Sequence, residues 1–192
     1  EAAATRQGWR LVDMTMRSCY YAPDQRMSQE GCQEHNQQLR AWLDRINPKA
    51  VAMPTTLLPH GVKPEIVTPD LESTIAHQVK RGTRFIALRG HPRLDRNPNE
   101  CADKFSPEDE RCRFRLSTTM KQQRPDAAIL NKFDKKRVFP LDLSHTICPE
   151  GVCRIIVGNV RVFIDGGHIT TTYARSMEPA VVRQLKDRRW RW

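Results

Sequence analysis

The sequence predicts an α/β fold: an open parallel sheet covered by helices on both faces. Three observations point to it. Short apolar runs and amphipathic stretches alternate as strand, helix, strand, helix, strand, the rhythm of parallel strands joined by crossovers. The runs at 50–53 and 84–88 are brief, apolar and bounded by turn residues, as buried strands are. At 192 residues, 39% of them hydrophobic and 28% charged, the chain can bury a sizeable core as one domain, residues 1–192.

The elements follow in order. Residues 1–7 read as the end of a helix stopped by Gly8, and 9–16 as a strand of large alternating side chains. After a loop over 18–31, a helix is expected over 32–46, because Leu39, Trp42, Leu43 and Ile46 share one apolar stripe. Asn47-Pro48 ends it before the strand at 50–53. A loop rich in Pro and Thr spans 54–69, and a second amphipathic helix runs over 71–81 to Gly82. The strand at 84–88 leads into a polar stretch, 90–113. Pro125 suits the first turn of a helix over 125–132. Short strands are expected at 138–143 and 154–157, and a last strand at 160–165. The final helix, 169–186, should kink or split at Pro179. No internal repeat or low-complexity segment interrupts this order.

A net charge of +10 favours acidic partners: nucleic acid, anionic glycan or a membrane surface. No stretch approaches the about 20 apolar residues of a membrane span. Glu1-Ala2-Ala3-Ala4 lacks the basic start and apolar core of a signal peptide. It reads instead like the middle of a helix, so the chain is expected to be a piece of a longer one.

The six cysteines fall into three close pairs: Cys19 with Cys32, Cys101 with Cys112, and Cys148 with Cys153. Six thiols allow about 15 connectivities, but well-separated pairs favour bonding in chain order. Zinc is the rival reading, but no pair has the two-residue spacing of a metal knuckle. Disulfides imply an oxidising compartment, periplasmic or secreted.

Chemistry is expected first in Phe163-Ile164-Asp165-Gly166-Gly167-His168-Ile169-Thr170. An apolar, β-branched run ends in an acid, two glycines and a histidine, as a strand delivering side chains to a sheet's carboxyl edge would. Ligands of open parallel sheets bind at that edge. An Asp three residues before a His can orient the ring and stabilise its protonated form, the roles of two members of a Ser-His-Asp triad. The plainer reading is a turn whose Asp caps the next helix and whose His is solvated.

These residues resemble a known family. Ile147-Cys148-Pro149-Glu150-Gly151-Val152-Cys153, the block just quoted, and Tyr173-Ala174-Arg175-Ser176 are similar to the end of SGNH-type domains fused to membrane acyltransferase-3 proteins, bacterial enzymes that O-acetylate surface polysaccharides. Ser18-Cys19, the Cys-x-x-His-Asn start over 32–36, and a disulfide loop after Pro92 agree in layout. The resemblance implies a three-layer, flavodoxin-like sheet of SGNH-hydrolase type. It assigns Asp165 and His168 to a catalytic triad. It also implies no metal or cofactor in this domain, with acetyl-CoA as the donor used by an attached membrane domain on the same polypeptide.

The sequence departs from that family in three places. The family's nucleophile lies in a Gly-Asp-Ser block on the first strand, and none occurs here. The block is therefore expected upstream, with the first strand supplied by upstream residues or a neighbouring chain. The oxyanion-binding Asn and Gly are missing from Met53-Pro54-Thr55-Thr56, where Thr55 or Thr56 is a weak substitute. His168 is followed by Ile-Thr where Leu-Ser or Leu-Thr is commoner.

Other residues are weighed against plainer roles. Arg89 and His91 follow a strand at the carboxyl edge and are candidates for an anionic substrate. Ser144-His145 is a poor dyad, since strand neighbours face opposite ways. Ser18 reads as a turn residue, Asp142 as a cap or loop hydrogen-bond acceptor, and His60, His77 and, by default, His91 as solvated. The tail Arg188-Arg189-Trp190-Arg191-Trp192 reads as a membrane-interface segment or a frayed end. Disulfides and the absence of a recognition motif argue against nucleic acid.

The expected function is an extracytoplasmic O-acetyltransferase domain acting on a bacterial glycan such as an O-antigen. In the full-length protein it would be periplasmic and tethered to the inner membrane. This segment alone is expected to be inactive, for want of a nucleophile. The alternatives are an acetyl esterase with the same triad and a noncatalytic glycan-binding module.

Overall fold

The structure, a computed structural model, describes residues 4–5, 8–24, 29–58, 64–187 and 190. Its centre is a parallel sheet of β1 (Ala50–Pro54), β4 (Arg84–Leu88) and β6 (Val138–Leu141), in the order β1-β4-β6. Val51 stands opposite Phe85, and Phe85 opposite Val138, so one row of apolar side chains crosses all three strands. The outer edge of β1 pairs with no described strand.

Alternation sorts the strand residues onto two faces. Val51, Phe85, Ala87 and Val138 face α1 (Cys32–Ile46) and α2 (Leu71–Lys80), through Leu39, Leu43, Leu71 and Ile75. Phe85, Ala87 and Ile75 are fully buried. Burying an Ile or Phe contributes about 1.5–3 kcal/mol, so this row dominates the sheet's stability. On the other face Phe139 meets Leu185 and Trp190, with Ala50, Ile86 and Trp9 around them.

That second face corrects the reading of the tail. Trp190 is 3% exposed, edge-on to Phe139 at 4.7 Å and tilted against Trp9 at 5.5 Å. The Arg84 guanidinium lies 4.0 Å from its ring centre. A ring so enclosed cannot sit at a membrane interface. The other four tail residues, 188–189 and 191–192, lie outside the described residues, as does His60.

Three other expectations change. Residues 9–16 form no strand, because no described strand runs beside them to satisfy their backbone; Leu11 and Val12 are exposed, and His35 Nε2 bonds the Met14 carbonyl at 3.1 Å. The loop over 54–69 contains a small hairpin of β2 (Thr56–Leu57) and β3 (Ile66–Val67). The run at 160–165 does not join the parallel sheet. It divides, and its halves belong to small antiparallel pairs in a second lobe.

That lobe holds α3 (Pro98–Phe105), with β5 (Phe114–Arg115) after it. Between β5 and β6 lies α4 (Ala127–Leu130), shorter than the helix expected at 125–132. Past the sheet, α5 (Ser144–Ile147) leads to β7 (Val152–Cys153), which pairs with β5. Then β8 (Ile156–Val157) pairs with β9 (Val160–Arg161), and β10 (Phe163–Asp165) with β11 (His168–Ile169). The chain closes with α6 (Thr171–Ser176) and α7 (Glu178–Asp187), split at Met177 with Pro179 in the first turn of α7, where its missing N–H costs nothing. A separate core of Phe114, Ile147, Ile155, Val162, Phe163 and Tyr173 fills this lobe. All three cysteine pairs are disulfides in chain order: Cys19–Cys32, Cys101–Cys112 and Cys148–Cys153.

The two parts meet at a buried ion network at the carboxyl end of the sheet. Arg89, just past β4, binds Glu65 in bidentate fashion (Nε–Oε1 2.8 Å, Nη2–Oε2 2.6 Å). It also reaches Asp142 beyond β6 at 2.9 Å and the Lys121 carbonyl at 2.6 Å. The Arg89 and Glu65 side chains are 4% and 0% exposed. Burial opposes the charge on Arg89, but the bonds to Glu65 and Asp142 outweigh it, and its pKa is raised. Removing one partner of such a pair strands a buried charge. Arg89→Met should therefore destabilise the fold by about 3–5 kcal/mol, and adding Glu65→Gln should recover part of that loss. Denaturant unfolding of the two variants checks this; equal stability of Arg89→Met and wild type would contradict it.

Candidate active site

The Asp165–His168 turn closes the β10–β11 hairpin. Phe163 pairs with Ile169 and Asp165 with His168, with an irregularity between the two pairs. Phe163 is fully buried and anchors the hairpin in the second core, while Ile164 points outward, 53% exposed. Within the turn, Asp165 Oδ1 accepts the Gly167 N–H at 2.6 Å. His168 Nδ1 lies 3.0 and 2.9 Å from the two carboxylate oxygens. An ionised carboxylate only accepts, so Nδ1 carries the hydrogen and a neutral ring leaves a lone pair on Nε2. No described residue hydrogen-bonds Nε2, and the His168 and Asp165 side chains are 63% and 48% exposed.

The plainer reading of this turn had Asp165 capping the next helix. Thr170 does that instead, its hydroxyl accepting the Tyr173 N–H at 3.2 Å. The glycines also serve a different purpose from a sharp left-handed turn, since neither Gly166 nor Gly167 has a positive φ. They allow close approach. A Cβ on Gly166 would lie 3.3 and 3.4 Å from the Leu94 and Arg96 carbonyl oxygens, and one on Gly167 2.9 Å from the Arg93 guanidinium.

The loop after β4 presses on the turn from that side. The Leu94 N–H donates to the Gly166 carbonyl at 2.7 Å, and His91 Nε2–H donates to the Gly167 carbonyl at 2.5 Å. From α3, Asn99 donates to the Ile164 carbonyl and accepts from Arg161, both at 2.6 Å, and Cys101–Cys112 staples that helix. The His91 pKa is pushed below its ordinary value, chiefly by burial; the Gly167 carbonyl acts against this, and the positive charge of Arg93 adds to it. The Asp165 pKa is lowered, first by the Gly167 N–H and then by the His168 bond.

The remaining sequence candidates separate. Arg89 faces the buried network, with no surface left for a ligand. Thr55 is fully buried, donating to the Leu88 carbonyl at 3.2 Å and accepting from Arg124 at 3.1 Å, so it does not face a substrate. Thr56 is likewise buried, bonded to Glu65 and to the Gly90 N–H. His91 touches the Asp165–His168 turn rather than open solvent. Ser144 is buried while His145 is exposed, on a helical turn and not a strand. Asp142 accepts the Ser144 N–H at 2.9 Å, a loop bond rather than a helix cap, and holds Arg89 as well. Ser18 sits in a turn with positive φ, and His77 binds Asp44 at 2.6 Å between α1 and α2. No described serine, threonine or cysteine bonds His168. Glu65 and Asn99, which hold the site's surroundings, carry no periodic or motif signal in the sequence.

A parallel sheet sandwiched by helices, with an acid–imidazole pair on a turn beside its carboxyl end, defines a doubly wound α/β domain. The family model for SGNH domains fused to AT3 domains matches residues 1–183, and the chain belongs to that family. Among solved structures it is similar to the lipopolysaccharide acetyltransferase periplasmic domain of Salmonella ser. Paratyphi A. The two share 12% identity at a TM-score of 0.53, over 90% of this chain and 68% of that one. No curated protein matches the chain. The three disulfides agree with an extracytoplasmic setting, and no helix among the described residues is long and apolar enough to cross a membrane.

A carboxyl group with a lowered pKa contributes its stabilisation fully above the ordinary value near 3.8, and loses it as pH falls through the lowered one. The Gly167–Asp165 contact should therefore persist unchanged from about pH 8 down to about pH 5, and open only in stronger acid. The side-chain carboxyl carbon shift of Asp165 reports its own protonation; a carboxyl titration midpoint above about pH 5 would contradict the geometry.

Proposed function

We propose that this chain is the extracytoplasmic domain of an O-acetyltransferase that moves an acetyl group onto a hydroxyl of a bacterial surface polysaccharide. One observation carries the reading: His168 Nδ1 is tied to Asp165 while Nε2 stays open to an incoming hydroxyl. Membership in a family fused to AT3 domains supports acyl transfer, and the similar Salmonella domain belongs to a lipopolysaccharide acetyltransferase. The acceptor in this reading is a glycan such as an O-antigen. The polypeptide carries a membrane acyltransferase domain that tethers this one to the inner membrane and draws acetyl from acetyl-CoA.

The steps follow ordinary covalent acyl transfer. A serine upstream of this segment, on a strand that would pair with the free edge of β1, gives its proton to His168 Nε2 as its oxygen attacks the acetyl carbonyl. Asp165 holds the ring and stabilises the imidazolium. The carbonyl re-forms as the bond between the acetyl carbon and the donor's leaving group breaks, and that group (a sulfur if the donor is a thioester, an oxygen if it is an ester) takes the proton from Nε2. A glycan hydroxyl then gives its proton to Nε2, attacks the acetyl-serine, and the serine oxygen departs with that proton. Without the serine the 192-residue segment should not turn over. The exposure of the pair also admits water as acceptor, which would make the domain an acetyl esterase.

The test uses the full-length polypeptide with a chromogenic acetyl ester, with and without glycan. His168→Ala should lower kcat by about 10³-fold or more, and Asp165→Asn by at least about 10²-fold, because an amide favours the wrong tautomer. Acetyl transfer exceeding hydrolysis supports the transferase, and hydrolysis indifferent to glycan supports the esterase. Acetylation untouched by His168→Ala would reduce the domain to a noncatalytic glycan-binding module.

A further inference from the structure

The Asp165–His168 pair does not sit on a strand of the parallel sheet, so something else must fix it to the rigid part of the molecule. The path is short. Arg89 is locked by its side-chain bonds to Glu65, Asp142 and the Lys121 carbonyl, and its N–H donates to the Leu141 carbonyl at 2.9 Å. The Gly90 N–H donates to Thr56 Oγ1 at 2.8 Å, and a Cβ on Gly90 would fall 2.8 Å from the Thr56 carbonyl oxygen. Two residues of backbone are thus held tightly, and the next one is His91. Its ring turns to the Gly167 carbonyl at 2.5 Å.

That carbonyl belongs to the peptide whose nitrogen is His168's own. Rotating the peptide plane swings the His168 Cα and displaces Nδ1 from the carboxylate. We infer that His91 is a positioning residue for the Asp165–His168 pair, its Nε2–H holding the Gly167 carbonyl so that His168 faces its acid in one orientation. The inference rests on the acetyl-transfer reading of that pair. A histidine suits the task because a planar ring with two torsions reaches the carbonyl with little freedom to lose. Burial keeps it neutral, so it adds no cation beside the imidazolium that forms on His168. The close packing of Leu94, Arg96 and Arg93 on the two glycines limits the turn's translation. The His91 bond holds the Gly167–His168 peptide from its carbonyl side.

The experiment compares three variants of the full-length polypeptide with a chromogenic acetyl ester, rates being corrected for the folded fraction from thermal unfolding. In His91→Asn the amide is too short to reach Gly167. In His91→Gln it extends to the place of Nε2. His91→Asn should lower kcat by about 10- to 100-fold with KM within about twofold, and His91→Gln should recover at least about threefold over His91→Asn. Wild-type kcat in His91→Asn, a change confined to KM, or no advantage of Gln over Asn would overturn the assignment. His168→Ala is the separate control. Full activity there removes the underlying reading, whereas loss of activity there with a wild-type His91→Asn removes only the role of His91.

Discussion

Burying a guanidinium is costly unless nearly every donor is met, and the packing around Arg89 is shaped by that requirement. Its partners come from four places in the chain: Glu65 before β3, Asp142 after β6, the Lys121 carbonyl before α4, and the backbone of β6. No one of these segments can move without uncovering a charge. Arg124 repeats the device nearby, binding the fully buried Asp126 at 2.6 and 2.8 Å while reaching Thr55 and the Ala87 carbonyl. The carboxyl ends of the strands, where an open parallel sheet ordinarily receives its ligand, are filled here by the protein's own ions. The Asp165–His168 pair stands instead on a neighbouring hairpin.

Such a displacement requires a second support, which the disulfide lobe provides. Cys101–Cys112 and Cys148–Cys153 lie within the core that buries Phe163 and Val162 beneath the hairpin. Each closes a short loop and contributes about 3 kcal/mol or less, largely by restricting the unfolded chain. Asn99, two residues before Cys101, carries that restraint to the hairpin backbone. The hairpin is therefore held between a lobe stapled in an oxidising compartment and a sheet edge held by buried ions.

The sequence made the frame legible because periodicity reports burial. The apolar stripe located α1 within a residue, with Leu39 and Leu43 buried and Trp42 half-buried, although Ile46 at its end is exposed, and the runs at 50–53 and 84–88 became β1 and β4. Cysteine spacing alone supported the disulfide pairing that the structure contains. Periodicity failed where a partner decides the outcome. Residues 9–16 alternate like a strand yet find no described ladder, and 160–165 reads as one strand although its halves pair with different neighbours. Glu65 looks like a loop carboxylate until Arg89, distant in sequence, is seen to bury it. Trp190 looks like a tail residue until Phe139 is found beneath it. The local Asp165–His168 contact needed only three residues of spacing to foresee, whereas its attachment through His91 spans the chain and left no pattern to read.

The energetics of the exposed pair bear on what it is for. An ion pair as open as Asp165–His168 adds about 0–1 kcal/mol to stability, and the turn already has its Leu94 and His91 bonds to hold its backbone. The next helix has its own cap in Thr170. Stability therefore gives no reason for the carboxylate to grip Nδ1 with both oxygens. The proposed proton-transfer role would use it: the carboxylate selects the tautomer and orients the ring, and Nε2 is directed away from the acid. What such a base lacks among the described residues is a hydroxyl within reach. In the proposed reaction the acid and imidazole are set in advance by short, local contacts, and the reacting oxygen comes to them.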